Sequence, residues 1–389
     1  MSEWKTYKLN EVLEIKYGKD HKHLPDGDIP VYGSGGIMRY VEKHLYDKES
    51  ILIPRKGTLS NIFYLNKPFW SVDTMFYTKI KDGVQGKYLY YLLKSMDLAS
   101  MNIGSAVPSL TTEVLNKVEI TIPDLATQRQ IAQILSSLDD KIELNLQMNQ
   151  TLEAMAQAIF KEWFVNFNFP GFDGVFENGL PKGWRMGKLG EVVSFIKGVS
   201  YRSSELVPSN FALVTLKSFN RFGGFNYRGF KEFFGKYNEN QVLDEGDVII
   251  AQTDITQAAE VIGCPAIVEN PFEYEKLIAS IDVVKCVPIN IHFSKAVLFY
   301  FLNDKRFKDF CLSHSNGSTV LHLRSSELQN FEFPIPDNEL LKQFTGIINP
   351  IREKIISNNK QIQTLTQIRD TLLPKLMSGK IRLNQDFKN

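Results

Sequence analysis

This chain contains one unit written twice, and an internal duplication constrains a fold before any local pattern does. The segment 104–110 reads GSAVPSL, and the segment 317–323 reads GSTVLHL at an offset of 213 positions (317 − 104). Each is followed by Ile-Pro-Asp and then by a long helical pattern. The two halves also open alike, with WKTYKLNEV at Trp4 and WRMGKLGEV at Trp184, an offset of 180 positions (184 − 4). Two related halves suit a partner with twofold symmetry, and duplex DNA is the commonest such partner.

The composition is typical of a globular cytoplasmic protein. With 389 residues the chain is long enough for two or three domains. The formal net charge of +1 argues against a purely electrostatic nucleic-acid binder but is compatible with local basic surfaces. The three cysteines form no CxxC pair, and the N-terminus lacks the apolar run of a signal peptide. We therefore expect reduced thiols, no metal site, no membrane span and a cytoplasmic location.

Strand-like and helical patterns divide the chain into four segments and predict an α+β fold. We expect a mixed α/β domain at 1–122, a helical spacer at 123–167, a second mixed α/β domain at 168–335 and a second helical spacer at 336–389. Runs of β-branched and aromatic residues predict strands at 50–54, 74–80, 211–216, 247–251 and 281–286. Apolar spacing predicts shorter helices at 87–101 and 295–302.

Both helical spacers carry apolar residues at alternating spacings of four and three, the pattern of a coiled-coil seam. Asp124 is the predicted N-cap of the first helix. In the second helix, Pro350 is expected to kink the first turns, and Pro374 is expected to end or bend the last turn. Asn145 and Asn358 occupy equivalent seam positions, where a buried polar residue costs stability but specifies register. The alternative is that both are solvated on unrelated surface helices. The predicted helix-pairing residues are Leu138, Ile142, Asn145, Asn149, Leu152, Ile351, Ile355, Asn358, Ile362 and Leu365.

Neither helix can bury its seam alone, so we expect the two to pack antiparallel, as a twofold duplication requires. Ile131 should then lie near Leu372, and Ile159 near Phe344. At about 1.5 Å per residue, a helix over 127–165 would span roughly 58 Å. Such a helix would act as a rigid spacer between two domains.

With these features together, the chain resembles the specificity subunits of type I restriction–modification systems over nearly its whole length. The resemblance rests on the Trp-x-x-x-Lys-Leu openings at Trp4 and Trp184, the Gly-Ser blocks, the Ile-Pro-Asp entries, and Gln130 and Gln343 early in each helix. It implies two target recognition domains joined by two long antiparallel coiled-coil helices. Each domain would read one half of a bipartite site in double-stranded DNA, and the helices would set the length of the unread spacer.

The resemblance also implies that partner subunits carry the chemistry. Two methyltransferase (modification) subunits would dock on the helices and methylate adenine, which requires base flipping. Restriction subunits would add ATP-driven translocation and cleavage, so S-adenosylmethionine, ATP and Mg are expected in partners and no cofactor in this chain. Phe160, Phe164 and Leu341 are expected to offer apolar surfaces to the methyltransferase subunits. The chain itself would be non-catalytic.

The catalytic motifs that we sought in the sequence are incomplete. Asn349-Pro350-Ile351 begins like the methylase motif Asn-Pro-Pro-aromatic but lacks the second proline, and the segment 183–188 lacks Walker A spacing. A metal-dependent nuclease built on Asp139 and Lys141 is disfavoured, because residues two apart on a helix point to different faces. These observations agree with a subunit that chooses sequence rather than performing chemistry.

Polar loops at matching places in the two halves are the candidate DNA contacts. Basic side chains position phosphates, whereas arginine pairs with guanine, and glutamine or asparagine with adenine. The first-domain candidates are Lys16, Lys19, His21, Arg55, Lys56, Thr58, Ser60 and Asn61. The second-domain candidates are Lys197, Tyr201, Arg202, Lys217, Asn220, Arg221, Asn226, Arg228, Gln252, Thr253, Thr256 and Gln257. The alternative is that these are ordinary solvated loop residues over an aromatic core.

The competing functional hypothesis is a duplicated coiled-coil scaffold that organises proteins without binding DNA. The basic, glycine-containing stretch 210–236 favours DNA, whereas the near-zero net charge favours the scaffold. Salt-dependent binding to duplex DNA would distinguish the two.

Overall fold

The computed structural model describes residues 4–101, 108–221, 224–255, 258–270, 274–317 and 320–383, without the side chain of Arg228. The chain divides into two compact units, the first made of residues 1–144 and 364–389 and the second of residues 145–363. Positions 104–107 of the first Gly-Ser block and positions 318 and 319 of the second lie outside the described residues. The predicted boundaries at 122, 167 and 335 remain predictions.

The first unit is built from three small sheets. Its strands are β1 (Lys5–Lys8), β2 (Leu13–Tyr17), β3 (Ile29–Gly33), β4 (Gly36–Val41), β5 (Ser50–Pro54), β6 (Phe63–Leu65), β7 (Trp70–Ser71), β8 (Met75–Ile80) and β9 (Glu119–Ile122), and its helices are α1 (Leu9–Val12), α2 (Gly86–Ser95), α3 (Thr112–Asn116) and the start of α4 (Leu125–Phe164). A four-stranded antiparallel sheet has the order β2-β8-β5-β6, a second has the order β4-β3-β7, and β1 pairs with β9. Only β3 and β7 run parallel among these pairs.

The core of the first unit lies between the four-stranded sheet and the helices that cover it. All five residues of β5 are buried, as the apolar run 50–54 predicted. Tyr88 and Leu89 of α2 pack on this sheet in the same cluster as Ile131 of α4. Asp124 caps α4 as predicted, since its Oδ1 accepts hydrogen bonds from the amides of Ala126 and Thr127 at 3.0 Å.

The second unit is also a mixed α/β unit, with several small sheets and helices. Its strands are β10 (Phe176–Glu177), β11 (Leu180–Pro181), β12 (Arg185–Lys188), β13 (Val193–Lys197), β14 (Phe211–Val214), β15 (Lys231–Glu232), β16 (Val242–Leu243), β17 (Val248–Ala251), β18 (Thr253–Asp254), β19 (Pro265–Ile267), β20 (Lys276–Ala279), β21 (Val283–Pro288), β22 (Ser315–Asn316), β23 (Leu321–Leu323) and β24 (Glu332–Ile335), and its helices are α5 (Lys295–Leu302), α6 (Lys305–Ser313), α7 (Ser325–Leu328) and the first part of α8 (Asn338–Met377). The sheet orders are β13-β21-β17-β19, β15-β14-β20-β16, β18-β23-β22, β12-β24 and β10-β11.

Aromatic side chains fill the core of the second unit where α4 ends and α8 begins. Phe164 lies 4.8 Å from Phe344 and 5.0 Å from Phe301 between ring centroids. Phe160, Phe164 and Leu341 are all buried in this cluster. The expectation that these three side chains offer apolar surfaces to partner subunits is therefore wrong, because they are buried in one cluster where α4, α5 and α8 meet.

Within the second unit, α4 and α8 run in opposite directions. Asn145 Nδ2 donates to Gln361 Oε1 at 2.7 Å, and Asn149 Nδ2 donates to Asn359 Oδ1 at 2.6 Å, so rising numbers on α4 meet falling numbers on α8. Ile159 packs against the cluster that contains Phe344. Among the predicted helix-pairing residues, Asn145, Asn358 and Ile355 are buried, and Leu138, Ile142, Asn149, Leu152, Ile351, Ile362 and Leu365 are half-buried.

Within the first unit, the start of α4 and the end of α8 share one hydrophobic cluster. Ile131 and Leu135 are buried there together with Leu376, and Leu372 packs against them. α8 runs without interruption through Pro350 and Pro374 and ends at Met377. The helix end expected near Pro374 therefore falls three residues later, at Met377, and the kink expected at Pro350 stays a prediction.

Most other short elements match the sequence predictions with shifts at their ends. The helix at 295–302 and the strand at 247–251 are present, the latter as Val248–Ala251. The helix expected at 87–101 stops at Ser95, and a separate 3-10 turn covers Leu98–Met101. The strand expected at 211–216 ends at Val214 because Thr215 Oγ1 accepts from the Lys217 amide and starts a 3-10 turn.

Candidate nucleic-acid interface

A glycine in each unit holds the first candidate loop close to the sheet. The Gly18 amide donates to Met75 O at 3.0 Å, and the Gly198 amide donates to Val283 O at 3.1 Å. A Cβ on Gly18 would lie 2.0 Å from Val72 O, and a Cβ on Gly198 would lie 2.0 Å from Ser280 O, so only glycine fits either position. The next residue is also held by a backbone hydrogen bond within each unit, since the Lys19 amide donates to Ser71 O and the Val199 amide donates to Ala279 O, both at 2.8 Å.

In the first unit, the structure brings the candidate loops together. The Arg55 guanidinium lies 5.4 Å from the centroid of the Tyr17 ring, which ends β2, and Arg55 Nη1 donates to Asp73 O at 3.2 Å. Asn61 Nδ2 donates to Ser34 O at 2.8 Å, which ties the loop 55–61 to the turn between β3 and β4. These contacts connect the loop 55–61 both to the end of β2 and to the turn between β3 and β4, and we call the exposed residues of these three segments the first-unit surface.

The first-unit candidates differ in how available they are. Lys19, Lys56, Thr58 and Ser60 are exposed, and Lys16, His21, Arg55 and Asn61 are half-buried. Lys16 pairs with Glu14 at 2.5 Å, and this contact raises the pKa of Lys16. Lys19 and Lys56 are therefore the best-placed cations of this surface.

Three apolar residues that sequence reasoning missed lie beside this surface. Ile37, Met38 and Tyr40 of β4 have relative exposures of 50%, 59% and 50%. The apolar character of these three residues predicts a buried position. Nothing in the neighbouring sequence indicates that β4 is an edge strand with an exposed face. They add an apolar component to a surface that the sequence predicted as polar.

In the second unit, several candidates are exposed around the loop 197–202 and the turns at 216–229. Lys197, Arg202, Lys217, Asn220 and Arg221 are exposed, and Tyr201 and Asn226 are half-buried. Lys231 Nζ lies 3.3 Å from Tyr201 Oη and 5.5 Å from the centroid of that ring. Arg221 Nε pairs with Glu260 at 3.1 Å, and Asn220 Nδ2 donates to Phe225 O at 3.1 Å.

Gln252 and Thr253 are placed differently from the prediction. Both are buried, with relative exposures of 6%. Gln252 Nε2 donates to Ile281 O, and Thr253 Oγ1 donates to Asp282 Oδ1 at 3.0 Å. Because β18 pairs with β23, this segment is held inside the unit, and we leave both residues out of the proposed DNA surface. Thr256, Gln257 and the side chain of Arg228 lie outside what the structure describes.

Two lysines of the second unit form ion pairs with a buried carboxylate. Asp247 is 2% exposed, and its carboxylate pairs with Lys285 Nζ at 2.8 Å and with Lys295 Nζ at 2.6 Å. Burial alone would raise the pKa of Asp247, but the hydrogen bonds from these two ammonium groups hold it below its usual value. These lysines neutralise a buried carboxylate and are not candidates for phosphate contact.

Possible metal ligands do not cluster in the described ranges, where no group of three His, Cys, Asp or Glu side chains is arranged to hold an ion. Cys264, Cys286 and Cys311 are free and buried. Burial raises the pKa of Cys311 to about 12, which keeps it a thiol at neutral pH. No helix of the described segments is long and apolar enough to cross a membrane.

Comparison with known proteins identifies a family. A family model described as the type I restriction modification DNA specificity domain matches residues 1–154 and 181–367. The type I restriction enzyme MjaIX specificity subunit of Methanocaldococcus jannaschii is 26% identical over 424 residues, covering 98% of this chain and 94% of the relative. The HindI specificity subunit of Haemophilus influenzae is 26% identical over 344 residues, covering 70% of this chain and 71% of the relative.

A solved structure shares the fold. The S subunit of a type I restriction–modification system from M. genitalium superposes with a TM-score of 0.65 at 18% sequence identity, covering 96% of each chain. The mixed α/β units and long helices of this chain therefore belong to a known architecture.

Proposed function

The chain belongs to the family of type I restriction modification DNA specificity domains, and from this premise we propose that its two units are copies of one recognition module, each reading one half of a bipartite DNA site. Its role is that of the DNA sequence-specificity subunit of a type I restriction–modification system.

The observation that carries the proposal is a matched set of backbone contacts in the two units. Lys5 pairs with Ile122 in β1–β9, and Arg185 pairs with Ile335 in β12–β24. The Leu9 amide donates to Val118 O at 2.8 Å, and the Leu189 amide donates to Phe331 O at 2.8 Å. The offsets are 180 (189 − 9) and 213 (331 − 118), the same values that the sequence repeat has.

The sheets support the same equivalence. The order β2-β8-β5-β6 in the first unit corresponds to β13-β21-β17-β19 in the second. The parallel pair β3–β7, flanked by antiparallel β4, corresponds to the parallel pair β14–β20, flanked by antiparallel β15. Two modules with matched sheets present matched loops, which suits two half-sites on one duplex.

The proposed DNA surfaces are the exposed loop residues next to Gly18 and Gly198. Lys19 and Lys56 in the first unit, and Lys197, Arg202 and Lys217 in the second, supply cations that position the phosphate backbone. Arg55, Asn61, Asn220 and Arg221 are the residues of the right chemistry to read base edges. The hydrogen bonds of Arg55 to Asp73 O and of Asn61 to Ser34 O would orient these two side chains for this.

We also propose that α4 and α8 form the antiparallel coiled-coil spacer between the half-site readers. The contacts of Asn145 with Gln361 and of Asn149 with Asn359 support this pairing in the second unit. The cluster that holds Ile131 and Leu376 supports it in the first. A helix of 40 residues spans roughly 60 Å at about 1.5 Å per residue, which is the scale of a DNA site with an unread centre.

The chemistry is assigned to partner subunits. In this proposal two methyltransferase subunits bind the chain and use S-adenosylmethionine, and restriction subunits supply the ATP- and Mg-dependent steps. In this proposal the chain itself binds no cofactor and selects the DNA sequence on which the complex acts.

The test uses the purified chain alone and assembled with its methyltransferase partner. The chain alone should transfer no labelled methyl group to duplex DNA, and the assembled complex should do so with a partner-to-chain ratio of two by native mass spectrometry. Methyl transfer by the isolated chain would overturn the assignment, and a one-to-one complex would overturn the twofold plan. A complex that never binds duplex DNA at low salt would favour the scaffold hypothesis instead.

A further inference from the structure

A buried tyrosine, an acid and an arginine join the two long helices to the recognition fold in the first unit. Arg369 Nη1 of α8 pairs with Asp139 Oδ1 of α4 at 2.7 Å, and the side chains are only 18% and 28% exposed. Tyr91 of α2 donates from Oη to Asp139 Oδ2 at 2.6 Å. Both oxygens of the Asp139 carboxylate are thus engaged.

The second unit contains a corresponding set. Arg352 Nη1 of α8 pairs with Glu153 Oε2 of α4 at 3.0 Å, with side-chain exposures of 12% and 28%. Tyr300 of α5 donates from Oη to Glu153 Oε2 at 3.4 Å. Because α2 and α5 follow equivalent strands, β8 and β21, the two tyrosines occupy corresponding helices.

The charges of these two sets do not follow the duplication. Arg352 stands at the position equivalent to Asp139, since 352 − 139 is the repeat offset of 213. Position 156, equivalent to Arg369 (369 − 213), lies within one turn of Glu153. In both units the acid is therefore on α4 and the arginine on α8, although the helices are copies of one another.

We propose that these four charges form a pairing code. The code favours pairing of α4 with α8 and disfavours pairing of either helix with the same helix of a second chain. The inference rests on the proposed duplication, which gives the register of a like-with-like pair. In a pair of two α4 helices, Asp139 takes the place of Arg352 and faces Glu153 of the other chain. In a pair of two α8 helices, Arg369 faces Arg352.

Each like-with-like pair would contain two such repulsive contacts by symmetry. The four side chains are less than a third exposed, so solvent screens them less than it screens surface pairs. The partner that fits α4 is consequently an α8-type helix, from the same chain or from a second copy. Rejection of like helices prevents chains from joining through their duplicated surfaces, which neutral apolar seams would permit.

The experiment tests the code in full-length chains co-expressed with two different affinity tags. The variant Glu153→Arg/Arg369→Asp keeps the net charge but places like charges between α4 and α8 and opposite charges in both like-with-like pairs. We expect the amount of second-tag chain recovered with the first to rise about tenfold over the wild-type chain. The matched control Asp139→Arg/Glu153→Arg/Arg352→Asp/Arg369→Asp inverts every sign, restores the original code and should behave like the wild-type chain.

A second variant keeps the proposal testable if the first does not fold. Asp139→Arg/Arg369→Asp retains both ion pairs within a chain but makes the like-with-like contacts attractive, so recovery of the second tag should rise about threefold over the fourfold variant. Equal recovery for this variant and the fourfold variant overturns the proposal, as does wild-type recovery as high as that of Glu153→Arg/Arg369→Asp. DNA binding by the wild-type complex is measured separately, so a failed code and a failed DNA-reading function give different results.

Discussion

Asn358 Nδ2 donates a hydrogen bond to Asn149 Oδ1 at 2.8 Å, and Asn358 is 2% exposed within a heptad pattern that is otherwise mostly apolar. Asn145, at the equivalent position of α4, is 1% exposed and donates to Gln361. The polar layer thus links the two helices through side-chain amides. A buried amide costs stability but penalises every register in which its partner is displaced.

Replacing both Asn145 and Asn358 with Leu should raise stability and loosen register. The partners are not orphaned by the change, because Gln361 is exposed and Asn149 still donates to Asn359 at 2.6 Å. We expect the melting temperature to rise by roughly 2 °C. Thermal unfolding measures the first effect, and methylation sequencing with the variant complex measures the second as a mixture of spacer lengths. A lower melting temperature with one unchanged spacer would contradict this account.

Lengthening both helices together should lengthen the unread DNA spacer without changing either half-site. Insertion of four residues after Asn149 and four after Asn358 keeps the flanking contacts paired, because these two residues face each other. Four residues add about 6 Å, which corresponds to roughly two base pairs at ~3.4 Å each. Methylation sequencing of DNA modified by the variant complex measures the half-site sequences and the spacer length. A four-residue insertion after the exposed Gly174 is the control and should leave the spacer unchanged. New half-site sequences with the old spacer would refute the model.

Lys56→Ala should weaken DNA binding for all sequences alike. Lys56 is exposed on the surface formed around Arg55 and Tyr17, so its charge is placed for a phosphate rather than for a base. Loss of one phosphate contact should reduce the slope of log K against log salt by about 0.9. Titration of cognate and non-cognate duplexes at several salt concentrations measures this. Lys117, which pairs with Glu113 at 2.7 Å on α3, supplies the control variant Lys117→Ala, whose slope should equal that of the wild-type complex.

Gln252→Ala should affect stability instead of DNA binding. The Gln252 side chain is buried and donates to Ile281 O, so its removal leaves the carbonyl oxygen of the half-buried Ile281 with one donor fewer. The expected loss is about 1–2 kcal/mol in the free energy of unfolding, measured by denaturant titration. Gln329→Ala, at an exposed position, should change stability by less than about 0.5 kcal/mol. If Gln252→Ala instead changed the slope of log K against log salt for DNA binding and left stability unchanged, Gln252 would be a DNA contact.

Glu269→Gln should stabilise the chain at neutral pH but not in acid. Burial raises the pKa of Glu269, while Asn359 Nδ2 donates to its Oε1 at 2.8 Å. A carboxyl group whose pKa is raised on folding contributes stability that is complete below its unfolded pKa of about 4.3 and is lost as the pH rises through the folded value. Gln accepts the same hydrogen bond without a charge. The free energy of unfolding of Glu269→Gln should therefore equal that of the wild-type chain at pH 4. At pH 7 it should be higher than that of the wild-type chain. Glu275→Gln, at an exposed position, is the control, and a destabilised Glu269→Gln at pH 7 would reverse the interpretation.

The sequence by itself determined the features whose signals are local or periodic. The Asp124 cap, the buried strand at Ser50–Pro54 and the helix at Lys295–Leu302 can be read from neighbouring residues, because capping, strand propensity and helical periodicity act over a few positions. The offsets of 180 and 213 follow from comparing the sequence with itself. The tertiary structure decided which faces are covered. It buried Phe160, Phe164 and Leu341 in one cluster of α4, α5 and α8, buried Gln252 and Thr253, and left Ile37, Met38 and Tyr40 exposed.

The ion pairs of Asp139 and Glu153 also separate what the sequence shows from what only the tertiary structure shows. Their spacing on α4 is visible in the sequence, but Arg369 and Arg352 lie 230 and 199 positions away in the chain. Whether two such charges meet depends on the register of α4 against α8, which the packing of both helices with α2 and α5 sets. Burial and long-range pairing arise only when elements distant in sequence come together, and for that reason the sequence alone could not supply them.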